Sequence, residues 1–294
     1  MADRWKHDFV EANGIRFHYV TAGEGPLVLL LHGFPQFWYA WRHQVPVLAE
    51  RFKVVAPDLR GYGDTEKPPR VADYRTGILA ADVAALVGAF GCEKAHIVGH
   101  DWGGGVAWAT ALEYAAVVDR LVVLNCPHPI LFAKALRSNL RQLARSWYMF
   151  FFQLPAIPEL VFRLAPRRLV ERVFRRMAIR PGTFSDEDLH QFKEALEKPG
   201  VLTSAINYYR ATFRNLSVIR ELERSPTTIS CPTLLIWGEN DVALGKELTY
   251  GMERLFTGPF RIHYVPNCSH WVNEEQPDLV NRLLLDFLAA RESA

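Results

Sequence analysis

Three residues in the sequence are spaced so that they could act as a nucleophile, an acid and a base. Asp101 has glycines two positions before and two positions after it, Gly99 and Gly103, in the stretch IVGHDWGGG. Small residues at these positions are typical of the tight, strained turn between a strand and a helix that exposes a nucleophile, usually a serine. Asp241 and His270 each follow a later apolar run, in the chain order nucleophile, acid, base. The sequence therefore predicts a catalytic triad whose nucleophile is a carboxylate.

Further residues favour a catalytic role over a purely structural one. Aspartate is also a common N-cap of helices, and glycine-rich turns follow many strands, so the motif around Asp101 alone would not establish a nucleophile. The independent positions of Asp241 and His270 argue for the catalytic role. A fourth element is the loop HGFP after an early apolar run, from which the backbone N–H of Phe34 could join that of Trp102 in an oxyanion hole.

Short apolar runs lead to each of these positions, as a parallel sheet that is buried on both faces requires. An Asn13-Gly14 turn predicts a β-hairpin before them. Residues 76–90 and 277–292 each carry apolar residues on one helix face. Alternating strands and helices predict an α/β fold whose functional loops gather at the carboxyl ends of the strands. The predicted strands are 27–33, 53–59, 95–100, 120–125, 233–239 and 260–265.

The alternation of strands and helices stops after Asn125 and resumes at Thr233. The segment between them is aromatic, rich in basic residues and interrupted by prolines, which predicts an inserted helical cap. We therefore divide the chain into a first part of the core at 1–126, the cap at 127–230 and a second part of the core at 231–294.

Charge and cysteine content limit the classes of function. The 294 residues have a formal net charge of +2, which argues against nucleic-acid binding through overall charge. The cap carries 17 Lys and Arg against 9 Asp and Glu, and we interpret the basic face of its amphipathic stretch at 165–180 as solvent-exposed. Four scattered cysteines form neither a zinc nor a disulfide pattern. The N-terminus has no signal-peptide pattern and no apolar run could span a bilayer, so we expect a soluble, cytoplasmic protein without stable membrane insertion.

The chain resembles the epoxide hydrolases of the α/β-hydrolase superfamily, closest to the soluble type, in the stretches HGFPQFWYAWRHQVPVL, DLRGYG, GHDWGG, SWYMFFFQLP and INYYRATFRN. The resemblance covers nearly the whole chain. It implies an α/β-hydrolase fold, with a mostly parallel central sheet flanked by helices and an inserted helical cap (lid) domain. In this family two cap tyrosines face the nucleophile. The matching positions are Tyr148 and Tyr209, because the family motif selects Tyr209 over the adjacent Tyr208.

The resemblance implies that water hydrolyses a small apolar epoxide to a vicinal diol. Asp101 would attack an epoxide carbon while Tyr148 and Tyr209 donate hydrogen bonds to the departing oxygen. A serine would leave a stable ether, whereas a carboxylate leaves an ester that water can hydrolyse once His270, oriented by Asp241, activates it. We expect no metal and no organic cofactor. The expected substrate-binding residues are Phe34, Trp38, Trp102, Met149 and Phe152.

Other functions could use the same triad. Haloalkane dehalogenases share the Asp nucleophile and the His base, often with a Trp after the nucleophile as at Trp102, but one common subgroup has Asn where this chain has Phe34. Fluoroacetate dehalogenases have a motif similar to HDRGGR around the nucleophile, and this chain has Trp102 and Gly105 at the positions of the two arginines. The cap histidine of those enzymes aligns with Tyr148. A noncatalytic ligand receptor is an alternative of another class, and a serine esterase lacks its G-x-S-x-G motif here. The sequence favours epoxide hydrolysis over these alternatives. Every catalytic position holds a competent residue, which argues against the receptor.

Overall fold

A mixed sheet forms the centre of the protein in the computed structural model, which describes residues 5–164, 166–214 and 228–290. The strands formed by these residues are β1 (Lys6–Ala12), β2 (Ile15–Ala22), β3 (Leu27–Leu31), β4 (Lys53–Pro57), β5 (Ala95–His100), β6 (Val118–Leu124), β7 (Thr233–Gly238) and β8 (Phe260–Val265). Their spatial order is β1-β2-β4-β3-β5-β6-β7-β8. β3 to β8 pair in parallel, and β2 is antiparallel to both of its neighbours. The sheet is therefore mostly parallel, as predicted.

The predicted hairpin and the predicted strands are both present. β1 and β2 meet at a turn in which Asn13 and Gly14 have left-handed φ angles of 45° and 74°. β3, β5 and β7 are buried along their whole length, which agrees with their continuous apolar sequences. Strand ends differ from the predicted ones by up to two residues, because positions such as His32 and Asp58 already belong to the loops that follow.

Helices connect the strands and cover the sheet. α3 (Trp102–Glu113) packs against α2 (Thr76–Ala89) and against β3, β5 and β6. α1 (Val45–Leu48) packs against β2, β4 and the C-terminal helix. The predicted helices at 76–90 and 277–292 are confirmed, although the second ends at Leu288. The helices of the core are α1 (Val45–Leu48), α2 (Thr76–Ala89), α3 (Trp102–Glu113), α11 (Val272–Glu275) and α12 (Pro277–Leu288), with short 3-10 helices at Trp38–Trp41, Val71–Tyr74, Ala115–Val117, Lys246–Thr249 and Met252–Leu255.

The predicted cap is helical in the part of the chain that the structure describes. Its helices are α4 (Pro129–Ser138), α5 (Leu140–Arg145), α6 (Trp147–Phe151), α7 (Ile157–Leu164), α8 (Pro166–Met177), α9 (Asp186–Glu197) and α10 (Val201–Arg214). They follow β6 and precede β7 along the chain, so the cap interrupts the core between two neighbouring parallel strands. The boundaries at 127 and 230 stay a prediction.

The amphipathic stretch predicted at 165–180 is α8. Phe174 is buried, and Arg172, Arg175 and Arg176 are exposed, so the basic face is solvent-exposed as predicted. The helix ends at Met177, earlier than predicted, since a residue that precedes a proline is disfavoured in a helix and a Pro-Gly pair follows at 181–182. Ala165 and the side chains of Arg168 and Leu169 lie outside the described residues.

A buried ion pair holds two parts of the cap together. Arg210 on α10 pairs with Glu159 on α7 at 2.6 Å, and the two side chains are only 8% and 10% exposed. The Arg210 guanidinium also donates to the carbonyl oxygens of Phe152 and Leu154. Because Tyr209 directly precedes Arg210, these contacts fix the turn of α10 that carries this tyrosine.

Replacing Glu159 by alanine should lower the free energy of unfolding by about 3 kcal/mol, because the Arg210 guanidinium would remain buried without its charge partner. Urea unfolding followed by circular dichroism measures this change. The matched control is Glu197→Ala, which removes one partner of an exposed pair with Lys193 and should cost at most about 0.5 kcal/mol. Equal stabilities of the two variants would contradict a structural role for the buried pair.

Candidate active site

Asp101 lies at a strained turn between β5 and α3. Its backbone has φ 50° and ψ −119°, which costs a non-glycine residue of order 1–3 kcal/mol. A Cβ atom at Gly99 would collide with the carbonyl oxygen of Gly103, and one at Gly103 would collide with that of Leu31. These close approaches are the physical reason for the glycines on both sides of Asp101. The turn presents the Asp101 side chain at the carboxyl end of β5.

His270 lies between two carboxylates. Its Nδ1 is 2.7 Å from Oδ2 of Asp241, and its Nε2 is 3.5 Å from Oδ2 of Asp101. A carboxylate only accepts, so Nδ1 donates its proton to Asp241 and Nε2 faces the predicted nucleophile. Asp241 also accepts hydrogen bonds from Asn125 Nδ2 and from two backbone N–H groups in the loop that follows it. The structure thus brings together the three residues that the sequence predicts as a triad.

The two carboxylates hold a proton on His270. Burial alone would lower the pKa of this imidazole, but the charges of Asp241 and Asp101 and the hydrogen bonds to both outweigh burial and raise the pKa to about 10. Burial would raise the pKa of Asp101, yet the hydrogen bond and charge of His270 outweigh it and hold that pKa below its usual value. At neutral pH, an ionised Asp101 therefore faces a protonated His270.

The neighbouring His100 is a neutral structural residue. Burial, together with the charge of His270, lowers the pKa of the His100 imidazole to about 4. Its Nε2 lies 2.9 Å from the backbone carbonyl oxygen of His270, to which it donates. This bond helps to hold the backbone of the loop that carries His270.

One predicted oxyanion-hole donor already contacts the nucleophile. The backbone N–H of Phe34 donates to Oδ1 of Asp101 at 2.8 Å. Trp102 begins α3 directly after Asp101, so its N–H is one of the N-terminal donors that have no acceptor within the helix. These two N–H groups are therefore available next to the Asp101 carboxylate.

The two predicted cap tyrosines and Asp101 line the same cavity. Tyr148 lies on α6 and Tyr209 on α10, and their ring centroids are 5.9 Å apart. Burial, and then the charge of Asp101, raises the pKa of both phenols, so both stay protonated and can donate hydrogen bonds. Tyr208 differs from its neighbour, since its hydroxyl donates to the carbonyl oxygen of Arg60.

The cavity has a volume of about 440 Å³ and a mostly apolar wall. Asp101, at the turn before α3, is followed in the wall by Gly105, Ala109 and Glu113 of α3. These residues recur every four positions and so share one helix face. At a rise of about 1.5 Å per residue, this face extends roughly 18 Å from the nucleophile. The cavity is therefore elongated along α3. Its wall also contains Ile78, Trp102, Leu112, Cys126, Pro127, Pro129, Phe132, Met149, Ala211 and Leu244.

Three of the predicted substrate-binding residues are not among the described residues that line this cavity. Phe34 and Phe152 pack against the ring of Tyr209, with centroid distances of 5.4 and 4.9 Å, and thus support the wall from behind. Trp38 lies elsewhere and packs edge-on against Trp5. Trp38 therefore packs away from the described cavity wall, and its role in substrate binding stays a prediction. Trp102 and Met149 do line the cavity.

Sequence reasoning missed several residues of the wall. Ala109 and Leu112 could have been found from helical spacing, since they follow the nucleophile on the same face of α3. Ile78, Cys126 and Phe132 come from α2, from the loop after β6 and from α4, and meet only in the folded chain. No local sequence pattern identifies this second set.

A group of possible metal ligands lies outside the cavity wall in the described part of the chain. His18, Asp58 and Asp64 place one ligand atom each within 4.8 Å of one another. However, Oδ2 of Asp58 is 2.8 Å from Nδ1 of His18 and also accepts the backbone N–H of Asp64. The other oxygen of Asp58 accepts the N–H of Trp38. Because protein donors already use both carboxylate oxygens, we assign no metal to this group.

Comparison with known proteins identifies the family. The family described as alpha/beta hydrolase fold matches residues 26–277. Human "Epoxide hydrolase 4" is 37% identical over 285 residues, which cover 95% of this chain and 77% of that protein. The chain belongs to the epoxide hydrolase family of α/β hydrolases. Its relatives include the "AB hydrolase superfamily protein YfhM" of Bacillus subtilis, which is 38% identical over 97% of this chain and 99% of that protein.

Solved structures of epoxide hydrolases have the same fold. A variant of the epoxide hydrolase from Bacillus megaterium superposes with a TM-score of 0.86 at 30% identity, covering 96% of this chain and 100% of that one. The epoxide hydrolase VrEH1 from Vigna radiata superposes with a TM-score of 0.87 at 26% identity, covering 98% and 99%. The predicted α/β-hydrolase fold with an inserted helical cap is therefore confirmed. Within the described ranges of this epoxide hydrolase family member, no helix is both long enough and apolar enough to cross a membrane.

Replacing Asp101 by asparagine should lower the pKa of the His270 imidazole from about 10, because it removes one of the two charges that hold the proton while Asp241 remains. A pH titration of the side-chain nitrogens of ¹⁵N-labelled histidine by NMR measures the shift. Asp119→Asn serves as the control, since Asp119 pairs with His96 instead. An unchanged His270 titration in the Asp101 variant would contradict the electrostatic account of the site.

Proposed function

We propose that the protein is an epoxide hydrolase, a hydrolase of ether bonds that converts a small apolar epoxide and water to a vicinal diol. The observation that carries the proposal is the single cavity that holds an ionised carboxylate, Asp101, and two neutral phenols, Tyr148 and Tyr209. The names of relatives and neighbours, such as the human and Bacillus megaterium epoxide hydrolases, support it. The reaction proceeds in two steps through an ester on Asp101.

In the first step an Asp101 oxygen attacks an epoxide carbon from the side opposite the C–O bond that breaks. The electron pair of that bond moves to the epoxide oxygen, and Tyr148 and Tyr209 stabilise it by hydrogen bonds and transfer one proton to it. The product is a hydroxyalkyl ester of Asp101. An alkoxide needs such a proton, whereas a departing halide does not. The paired phenols therefore favour an epoxide over a haloalkane as the substrate.

Formation of the ester changes the acidity of His270. The reaction neutralises the charge of Asp101, one of the two charges that raise the pKa of the imidazole. His270 therefore loses its proton more readily after the first step than before it, and this proton returns the ionised phenol to its neutral form. The site thereby gains a neutral imidazole, which is a base, only when there is an ester to hydrolyse.

In the second step Nε2 of His270 takes a proton from a water molecule while the water attacks the carbonyl carbon of the ester. The N–H groups of Phe34 and Trp102 stabilise the negative oxygen of the tetrahedral intermediate. The intermediate collapses, the diol oxygen leaves with the proton of the imidazolium, and the Asp101 carboxyl ionises again to reprotonate His270. One epoxide and one water have then become one diol.

We further propose that the enzyme acts in the cytoplasm on apolar substrates. The apolar wall of the cavity supports the choice of substrate. Cys92, Cys126, Cys231 and Cys268 are free thiols, the state that a reducing compartment maintains.

Replacing both Tyr148 and Tyr209 by phenylalanine should lower kcat/KM for styrene oxide by about 10³-fold, because no donor then remains for the epoxide oxygen. Each single variant should retain more activity than the double variant, since one phenol is left. Steady-state formation of the diol measures these rates, with 1-bromobutane as a parallel substrate. Tyr208→Phe is the control, because its hydroxyl bonds to a backbone carbonyl group. Full activity of the double variant, or faster turnover of the bromide than of the epoxide by the unmodified protein, would contradict the proposal.

A further inference from the structure

The loop that carries His270 is held by a residue outside the triad. Glu275 ends α11, five positions after His270, and its buried side chain turns back toward the start of the loop. Oε1 of Glu275 accepts the backbone N–H of Ser269 at 3.1 Å and also the Ser269 hydroxyl. The Ser269 hydroxyl oxygen in turn accepts the N–H of Trp271. Both residues that flank His270 are therefore tied, directly or through Ser269, to one carboxylate oxygen.

The other carboxylate oxygen of Glu275 reaches the cap. Oε2 accepts the backbone N–H groups of Ile179 and Arg180, at 3.3 and 3.4 Å, in the segment between α8 and α9. The Arg180 guanidinium extends the contact, because its Nε donates to the carbonyl oxygen of Asn267 in the loop before His270. One side chain thus joins the loop of the catalytic histidine to the backbone of the cap.

Apolar contacts run parallel to these hydrogen bonds. The ring of Trp271, which follows His270 directly, lies 4.9 Å from that of Phe174 on α8 and 6.1 Å from that of Phe184 before α9. Both cap residues are buried. The same region of the cap therefore contacts the histidine loop through packed rings and through Glu275.

The groups around the two carboxylate oxygens of Glu275 are hydrogen-bond donors. Three backbone N–H groups and one hydroxyl point at its two oxygens, and the N–H groups can only donate. A glutamine has one accepting oxygen and one donating amide group, so either orientation would set an NH₂ group against donors. Glu275→Gln therefore breaks the connection between the cap and the His270 loop, while it nearly preserves the size of the side chain.

We infer that Glu275 is a positioning residue that ties the cap to the loop of His270 and thereby holds the imidazole in place for hydrolysis of the ester. The inference rests on the proposed function. Asp241 orients the imidazole ring through Nδ1, whereas Glu275 fixes the backbone from which that ring extends. Formation of the ester requires Asp101, Tyr148 and Tyr209, none of which contacts Glu275. The two steps should therefore respond differently to its loss.

The test is a single-turnover experiment with styrene oxide, stopped with acid at successive times, in which intact-protein mass reports the ester on Asp101. Glu275→Gln should slow hydrolysis of the ester by about 10²-fold, the order expected for a misplaced catalytic group, and change its formation by less than about 3-fold. The ester should consequently accumulate. Glu275→Asp, which restores a carboxylate, should recover part of the hydrolysis rate.

Asp186→Asn is the matched control, because it breaks an exposed ion pair with Arg175 in the same part of the cap and should leave both rate constants unchanged. If Glu275→Gln does not fold, Ser269→Ala decides, since it removes the hydroxyl that links Glu275 to the N–H of Trp271 and should slow hydrolysis alone. Equal slowing of both steps, or no slowing of hydrolysis, would overturn the inference. An unmodified protein that neither forms the ester nor turns over the epoxide would instead refute the proposed function, and this inference with it.

Discussion

The pair of carboxylates around His270 is the interaction on which the rest of the site depends. Two negative charges near one buried imidazole outweigh the cost of burial and raise its pKa to about 10. The same contact keeps the pKa of Asp101 low, so the nucleophile is ionised before a substrate arrives. The ester on Asp101 is neutral, so its formation removes one of the two charges that hold the proton on His270. The same three residues therefore form an ion pair at rest and provide a base once the ester has formed. A neutral serine nucleophile could not produce this change.

The order of the strands makes that interaction possible. Asp101 follows β5, Asp241 follows β7 and His270 follows β8, and these strands lie on one side of a parallel sheet with their carboxyl ends at the same edge. Asn125 follows β6, which lies between β5 and β7. Its side chain donates to Asp241 and accepts the N–H of Gly238, so the ends of β6 and β7 are connected. The cap contributes Tyr148 and Tyr209 to the cavity that Asp101 lines.

Local patterns in the sequence predicted the core better than the wall of the cavity. Glycines at 99 and 103 predicted the turn at Asp101 because the chain approaches itself too closely there for any Cβ. Continuous apolar runs predicted the buried strands because both faces of the sheet are covered. Trp38 shows the limit of such reasoning, since its position near the HGFP loop suggested a contact with substrate, whereas its ring packs against Trp5. The bonds of Glu275 to Ile179 and Arg180 join segments about ninety-five positions apart, and no periodicity encodes them.

The most direct test of the ester account is a single turnover of styrene oxide in water enriched in ¹⁸O, with the enzyme in excess over the substrate. Mass spectrometry then locates the label in the diol and in the peptide that contains Asp101. The account predicts an unlabelled diol and one ¹⁸O atom in the Asp101 carboxylate, because the new diol oxygen comes from Asp101 and water replaces it in the protein. A labelled diol with an unlabelled Asp101 would mean that water attacks the epoxide directly, which contradicts the central claim.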